Sequence, residues 1–596
     1  MKNRIYCLIP ALTILFFTSV SALSQTIGEK YDLNFNDVVP CNHSWISSKF
    51  NCIFFKDETT IIQGKPAVKL SYKNFDQGNT MRFNLSKTLI LPVTLTGETY
   101  DISIVSKDDV SQDVWFKVTA LDQDAIEKRS CAIKINSKSW KENSVKMTLS
   151  DAKAIRISIY YNGNNSDSQD IWIDRILIKA GKKDITGANY FSDKPKDSLR
   201  TIKSLDKKYI VPLATGNDSS LLSEIKAFDG KQLIGLAEST HGSNTSKEAN
   251  YQFIKNLIIS NHCRLVLLEM STAATLSWNL YVQGKISKEY EKSIEDDIRA
   301  CFIDHKLLMD FLSWLRSYNI RSNNKVYISG IDNSDPEEKK LYLFNFYLTL
   351  LGKDKAVWYL KNTIEKNYGP LITHSYFDKT LQYIMGKENF DCYISFLNNA
   401  VISHKSELSS SPNRDIIMFK SVKGLMDNCL KKDDKAAILA HSGHLQNLER
   451  FPGDTTLGLC LREYYKEKYF SISFQIGTGT FSQDECAMDV KTVTDTLKKP
   501  PFYSFEYAGL NTGIPYFYYP ANYLGNDILT CGFIPRGGRY EDLYKFSPLR
   551  RQFDAYVFIK ESKAMEKIEP SLLIYGMHYF YSKKMAMDSV AREIDN

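Results

Sequence analysis

The segment Ala237-Glu238-Ser239-Thr240-His241-Gly242 sets a carboxylate three residues before an imidazole, and Glu269 ends a second apolar run further on. Asp332 ends a third such run; His441 ends a fourth, with His444 three residues beyond it. An imidazole titrates near neutrality, so with a carboxylate to fix its tautomer it can take a proton from water as that water attacks a carbonyl. In that chemistry one of these histidines would be the base and a nearby carboxylate its partner. The other imidazoles would meet the negative charge that develops on the carbonyl oxygen, or one would protonate the departing alkoxide. Nine histidines occur in 596 residues, yet three gather at the exits of apolar runs.

Each of these residues also suits a structural role. Glu238 and Glu269 fit helix N-termini, where carboxylates are favoured, and Thr245-Ser246-Lys247-Glu248 has capping-box spacing. Asp332 precedes Asn333-Ser334-Asp335-Pro336 and suits a turn; His441 or His444, taken singly, suits a core. Ser239 and Ser442 adjoin histidines, but no G-x-S-x-G elbow exists to present either as a nucleophile. Two carboxylates and three histidines leave a divalent ion open, although H-E-x-x-H is absent; otherwise no cofactor is expected.

The elements that would carry these groups are uninterrupted apolar strands: Leu233-Ile234-Gly235-Leu236-Ala237-Glu238, Arg264-Leu265-Val266-Leu267-Leu268-Glu269, Val326-Tyr327-Ile328-Ser329-Gly330-Ile331-Asp332, Ala436-Ala437-Ile438-Leu439-Ala440-His441 and Tyr469-Phe470-Ser471-Ile472-Ser473-Phe474. They alternate with helical patterns at 246–260 and across a long stretch at 339–428, and residues 219–228 read as a short helix. Such strands require a sheet covered on both faces, so the expectation is α/β, with a mostly parallel sheet flanked by helices and a large helical insertion. Ligands of such sheets bind beyond the carboxyl ends of the strands, where the ionisable groups fall.

Upstream the period changes to two. Ala67-Val68-Lys69-Leu70-Ser71-Tyr72, Val114-Trp115-Phe116-Lys117-Val118 and Ile155-Arg156-Ile157-Ser158-Ile159 alternate apolar and polar residues, and clusters such as Asn162-Gly163-Asn164-Asn165-Ser166 separate them. An antiparallel β-sandwich over residues 28–182 is expected, followed by a polar linker at 183–207 and the α/β part at 208–596. Its last strand, around Trp172-Ile173-Asp174-Arg175-Ile176, resembles that of jelly-roll, carbohydrate-binding-like modules, which implies either a carbohydrate as a partner or a purely structural accessory domain.

The chain is 43% hydrophobic and 24% charged, which excludes a disordered, collagen-like or small disulfide-stapled protein. A net charge of +7 on 68.3 kDa, with no basic stripe, argues against nucleic acid as a partner. Mean hydropathy is −0.30, and no interior run reaches the ~18 apolar residues of a membrane span. Lys2 and Arg4, an apolar stretch at 6–17, and Ser19-Val20-Ser21-Ala22-Leu23-Ser24 have the layout of a signal peptide over 1–24, cleaved after Ala22 or Ser24. Periplasmic or secreted protein is expected, and Cys41 and Cys52 would then be free to close a short disulfide loop.

With these residues in view, the α/β part resembles the erythromycin esterase family. Ala237-Glu238-Ser239-Thr240-His241-Gly242 is similar to its G-E-[AS]-T-H-G signature, followed in family order by Leu268-Glu269-Met270, Trp314-Leu315-Arg316-Ser317-Tyr318-Asn319 and Gly330-Ile331-Asp332. Ala440-His441-Ser442-Gly443-His444 resembles A-H-N-x-H, and Gly477-Thr478-Gly479-Thr480-Phe481 and Phe553-Asp554-Ala555 complete the series across residues 208–564. The resemblance implies hydrolysis of an ester or lactone, with His241 as general base, Glu238 and Glu269 as carboxylates, and His441 and His444 completing the site. The family's cation nine residues after the first histidine falls on Asn250 here, so substrate positioning would pass to Lys247, Asn250 or Asp332. If that departure disables the site, the implied alternative is a binding or envelope-polysaccharide accessory protein.

Overall fold

In this computed structural model the described residues are 46–47, 52–72, 82–90, 99–108, 114–135, 137–149, 152–162, 169–184, 205–213, 225–286, 291–300, 305–332, 336–364, 368–407, 414–450, 454–484, 492–497, 499–501, 503–532, 544 and 546–565. The signal-peptide reading, the Cys41–Cys52 loop, most of the linker and the first part of the 219–228 helix lie outside them.

Period-two alternation builds the N-terminal part. Strands β1 (Ile46–Ser47), β2 (Cys52–Ile62), β3 (Lys65–Tyr72), β4 (Arg82–Ile90), β5 (Thr99–Asp108), β6 (Val114–Leu121), β7 (Glu127–Lys134), β8 (Lys141–Thr148), β9 (Ala154–Asn162), β10 (Gln169–Ala180) and β11 (Lys183–Asp184) form two antiparallel sheets. One runs β1-β4-β9-β6-β7 and the other β2-β3-β10-β5-β8, with β11 on β10. Their apolar positions, among them Ile102, Ile104, Phe116, Val118, Ile155 and Ile157, meet in one buried cluster. In β10 the inward residues are Ile171 and Ile173, then Ile176 and Ile178, an odd step in an even pattern. A register shift between Ile173 and Arg175 absorbs it: a bulge restores the apolar side to the core and keeps Arg175 outside.

The second part begins with β12 (Val211–Pro212) and the fully buried β13 (Leu233–Glu238). Helix α1 (Asn244–Ser260) leads to β14 (Cys263–Ser271), and α2 (Thr272–Val282), α3 (Glu291–Ala300) and α4 (His305–Arg321) lead to β15 (Tyr327–Asp332). A helical stretch follows: α5 (Pro336–Leu351), α6 (Lys353–Tyr359), α7 (Tyr368–Phe377), α8 (Lys379–Met385), α9 (Lys387–Glu407) and α10 (Arg414–Cys429). The chain then re-enters the sheet as β16 (Lys435–His441), passes α11 (Ser442–Leu445) and α12 (Leu457–Tyr465), and forms the long β17 (Tyr469–Asp484). Strand β18 (Thr492–Thr496), α13 (Phe505–Leu510), β19 (Tyr516–Pro520), α14 (Leu549–Gln552) and β20 (Ala555–Ser562) finish the described chain.

The sheet order is β12-β19-β20-β17-β13-β16-β14-β15. Pairings from β20 across to β15 are parallel, while β12, β19 and the β17–β18 hairpin are antiparallel. Alternate residues of β13 feed two apolar layers: Leu233 and Ala237 on one face, Ile234 and Leu236 on the other. The chain crosses from β13 to β14 on one side and from β16 to β17 on the other, so its connections part in a crevice between β13 and β16. That crevice lies beyond the strand ends, where open α/β sheets bind ligands.

Helix α1 starts differently from the capping-box expectation. Ser243 is the N-cap, its hydroxyl accepting from Ser246 N–H at 3.0 Å, while Thr245 Oγ1 accepts from Lys563 N–H and Glu248 is held by Asn244. Ser243 wins because its hydroxyl also pairs with Ser562 on β20, anchoring the helix start to the sheet.

Candidate active site

Strand β13 delivers Glu238 at its last position, and the tight turn after it delivers His241. The two side chains meet: His241 Nδ1 lies 2.5 Å from Glu238 Oε1. Lys247, one turn into α1, donates to both carboxylate oxygens, at 3.2 and 3.1 Å. Burial opposes ionisation of Glu238, whose side chain is 3% exposed, but the charges of Lys247 and His241 outweigh it and hold the carboxyl down at about 2. An ionised Glu238 must accept, so Nδ1 of His241 carries a proton and the neutral ring keeps its lone pair on Nε2. No described residue hydrogen-bonds that Nε2, and the side chain is 49% exposed. The imidazole is therefore oriented by a buried carboxylate and open on its basic side.

The turn after His241 needs a glycine. A Cβ on Gly242 would stand 1.8 Å from the carbonyl oxygen of Ser482, because the backbone runs directly against β17, the Gly242 carbonyl accepting from Ser482 N–H.

A second cluster adjoins the first across β16. Glu269 Oε2 accepts the backbone N–H of His441 at 2.8 Å, and Oε1 lies 3.2 Å from His444 Nε2 and 3.1 Å from Arg414 Nη2. Burial opposes ionisation of Glu269 as well, but His444 foremost, then His241 and Arg414, keep its carboxyl well below the usual range. His444 Nδ1 donates to Asp415 Oδ1 at 2.6 Å. Burial alone would push His444 down; Asp415 and Glu269 overcome it and raise it to about 9, so the ring is an imidazolium at neutral pH. Arg414 Nη1 also lies 3.2 Å from His444 Nε2, but two donors cannot pair, and the protonated nitrogen faces Glu269. The rings of His241 and His441, 4.8 Å apart between centroids, join the two clusters.

The sequence-derived candidates thus sort themselves. Glu238, His241, Glu269, His441 and His444 converge at the carboxyl ends of β13, β14 and β16. Lys247 is not presented to a substrate: its side chain is 8% exposed and committed to Glu238. Asn250 is fully buried on α1, with neither amide atom hydrogen-bonded among the described residues. Asp332 accepts from Arg414, so its part is to hold that arginine. Neither Ser239 nor Ser442 has its hydroxyl bonded to any described residue, so no serine is activated by a histidine here. No group of three or more His, Cys, Asp or Glu side chains arranged to hold a metal ion occurs among the described residues.

Arg414, Asp415 and Arg450 were not foreseen. Arg414 bridges Asp332 and Glu269; Asp415 receives His444, Arg450 and the backbone N–H of Leu457. The available signal was Ser409-Ser410-Ser411-Pro412-Asn413 interrupting a helical pattern just before an Arg-Asp pair. Nothing in that signal showed that the start of α10 reaches the ends of β14 and β15 and the short helix after β16.

The profile of the family described as erythromycin esterase matches residues 354–562. That span contains Arg414, Asp415, His441 and His444 and begins after Glu238, His241, Glu269 and Asp332. Among solved structures, a Bacillus cereus protein is 17% identical, with a TM-score of 0.46 over 61% of this chain and 97% of that one. An erythromycin esterase mutant in its open conformation is also 17% identical, with a TM-score of 0.38 over 59% of this chain and 96% of that one. A carbohydrate-binding module in complex with β-1,4-galactotriose is 17% identical, with a TM-score of 0.19 over 26% of this chain and 98% of that one. No curated protein matches. No described helix is long and apolar enough to cross a membrane.

Proposed function

We propose that the chain is an exported carboxylic ester or lactone hydrolase in which His241 activates water. The observation that carries this reading is the buried Glu238 carboxylate bonded to Nδ1 of an imidazole whose Nε2 is open. Water bound at Nε2 gives up a proton to the ring as its oxygen attacks the ester carbon, and Glu238 stabilises the imidazolium that forms. The same proton then goes to the leaving alkoxide. Arg414 and the protonated His444 supply the positive charge that Asn250 cannot.

The test is mass spectrometry of products from lactones, acylated sugars and simple esters, with wild type and His241→Ala in parallel. Hydrolysis of one class, lowered about 10²–10⁴-fold in kcat/KM by the substitution, is expected. No turnover anywhere on the panel, or an equally active variant, overturns the proposal. Retention of activity after exhaustive chelation would separate it from metal-assisted hydrolysis.

A carbohydrate at the sandwich is the second reading, supported by Trp115 and Tyr160. They stand opposite each other on β6 and β9, half-buried on the outward side, with ring centroids 6.4 Å apart and planes 11° from parallel. Flat paired rings suit stacking on a sugar. Retardation in polysaccharide-containing gels, abolished by Trp115→Ala, is the expected result.

A further inference from the structure

The guanidinium of Arg414 has five N–H groups, and their partners can be counted one by one. Its Nε–H donates to Asp332 Oδ2 at 3.0 Å. Nη2 divides its pair between that oxygen, at 2.5 Å, and Glu269 Oε1, at 3.1 Å. Both N–H groups of Nη1 are left over. The one hydrogen-bonding contact of Nη1 among the described residues is His444 Nε2 at 3.2 Å, and a protonated ring nitrogen cannot accept.

Neither His444 nor Lys247 has such a surplus. His444 spends Nδ1–H on Asp415 and Nε2–H on Glu269, and Lys247 is buried against Glu238. Arg414 is also the accessible cation of the three: 44% of its side chain is exposed, against 10% for His444 and 8% for Lys247. Its three bonded N–H groups fix the planar fork, so Nη1 is an aimed corner and not a swinging charge. That corner faces an imidazolium, and an acceptor gaining negative charge there relieves the like-charge contact. The charges of His241 and Arg414 both act on Glu269, so the base and the open corner are neighbours of one carboxylate.

We propose that Nη1 of Arg414 is the donor that receives the carbonyl oxygen of the ester. This rests on the hydrolase reading above and divides the positive charge named there: Arg414 acts by contact, His444 only through its field. As the water oxygen bonds to the carbonyl carbon, its proton passes to His241 Nε2 and the π electrons move to the oxygen held at Nη1. Collapse of that oxyanion re-forms the carbonyl and breaks the bond to the alkoxide, which takes the proton from His241. A donor fixed before the reaction stabilises the oxyanion without having to reorganise as charge develops.

Sulfur is a weak hydrogen-bond acceptor, so an ester and its thionoester, differing only in C=O against C=S, report on contact at that atom. Arg414→Lys keeps the charge but not the planar fork. On the ester that wild type hydrolyses, the expected loss in kcat is about 10²–10³-fold. The loss on the thionoester should be far smaller, so that the oxo-to-thiono rate ratio collapses in the variant. Equal losses on both substrates mark a structural role and overturn the donor, as does an unchanged kcat on the ester. Should the variant show no cooperative melt, wild type decides. Asp415 and Glu269, with Asp454 nearby, hold the His444 proton against burial and the charges of Arg414 and Arg450 up to about 9. Beyond that pH the bare Nε2 draws an Nη1–H onto the ring, and the oxo-to-thiono ratio should fall; a ratio constant across about 9 overturns the proposal. If wild type hydrolyses no ester, the donor role falls with the hydrolase reading, whereas turnover with equal losses removes the donor and leaves that reading standing.

Discussion

At the scale of single residues, the most consequential pair is Glu238 and Lys247. Each is buried, and each is tolerable there because of the other. Lys247→Met removes the cation and strands a carboxylate in the interior. Breaking such a pair costs ~3–5 kcal/mol, so a large drop in unfolding free energy by urea titration is expected. The same variant should weaken the His241 base, because Glu238 loses the group that does most to keep it ionised. An unaltered urea midpoint would contradict the buried ion pair. The neighbouring Asn250 keeps both amide atoms unbonded among the described residues, and nothing in the structure explains this.

At the scale of elements, the site depends on where chain segments are allowed to approach. Gly242 lies flat on β17 and Gly330 on the exit of β14, where a Cβ would meet Met270 and Ser271 carbonyl oxygens at 2.3 and 2.5 Å. Gly242→Ala must push the His241 turn off the sheet, so both Tm and kcat are expected to fall. A variant with lowered Tm and full kcat would show that the turn relaxes without moving His241. Helix α10 is the other positioning element: its first two residues reach β14, β15, α11 and α12. Asp415→Ala leaves His444, Arg450 and the Leu457 N–H without their shared acceptor. Lower thermal stability is expected, together with a His444 ring that loses its proton at lower pH, measurable by NMR.

At the scale of the whole molecule, Glu238 and His444, two of the site's shifted groups, set opposite limits on stability. Glu238 stands below its ordinary value of 4.5, so its contribution is complete above that pH and is lost as pH falls toward about 2. His444 stands above its ordinary 6.5, so its contribution is complete below that pH and is lost as pH rises through about 9. Burial presses His441 down to about 3, so its contribution is complete above 6.5 and shrinks as pH falls, and the three groups together place the highest unfolding free energy near 6.5. His444→Gln should flatten the alkaline side and, because His444 does most to hold Glu269 down, weaken the acid side as well. An alkaline flank unaffected by that substitution would refute the assignment.

Local pattern decides much of this protein. Unbroken apolar runs at 233–238, 264–269, 327–332 and 436–441 can only be strands covered on both faces, and the ionisable groups ending them fall at one rim. Glu238, His241, Glu269, His441 and His444 were legible for that reason, as was the two-residue period of the sandwich. Tertiary structure alone decided which carboxylate serves which imidazole, that Lys247 is spent on Glu238, and that Arg414 and Asp415 arrive from a helix some 140 residues beyond β14 in the chain. Hydrophobic periodicity records which face of a segment is buried, whereas partner choice among charged groups depends on distances of a few ångströms between segments far apart in sequence.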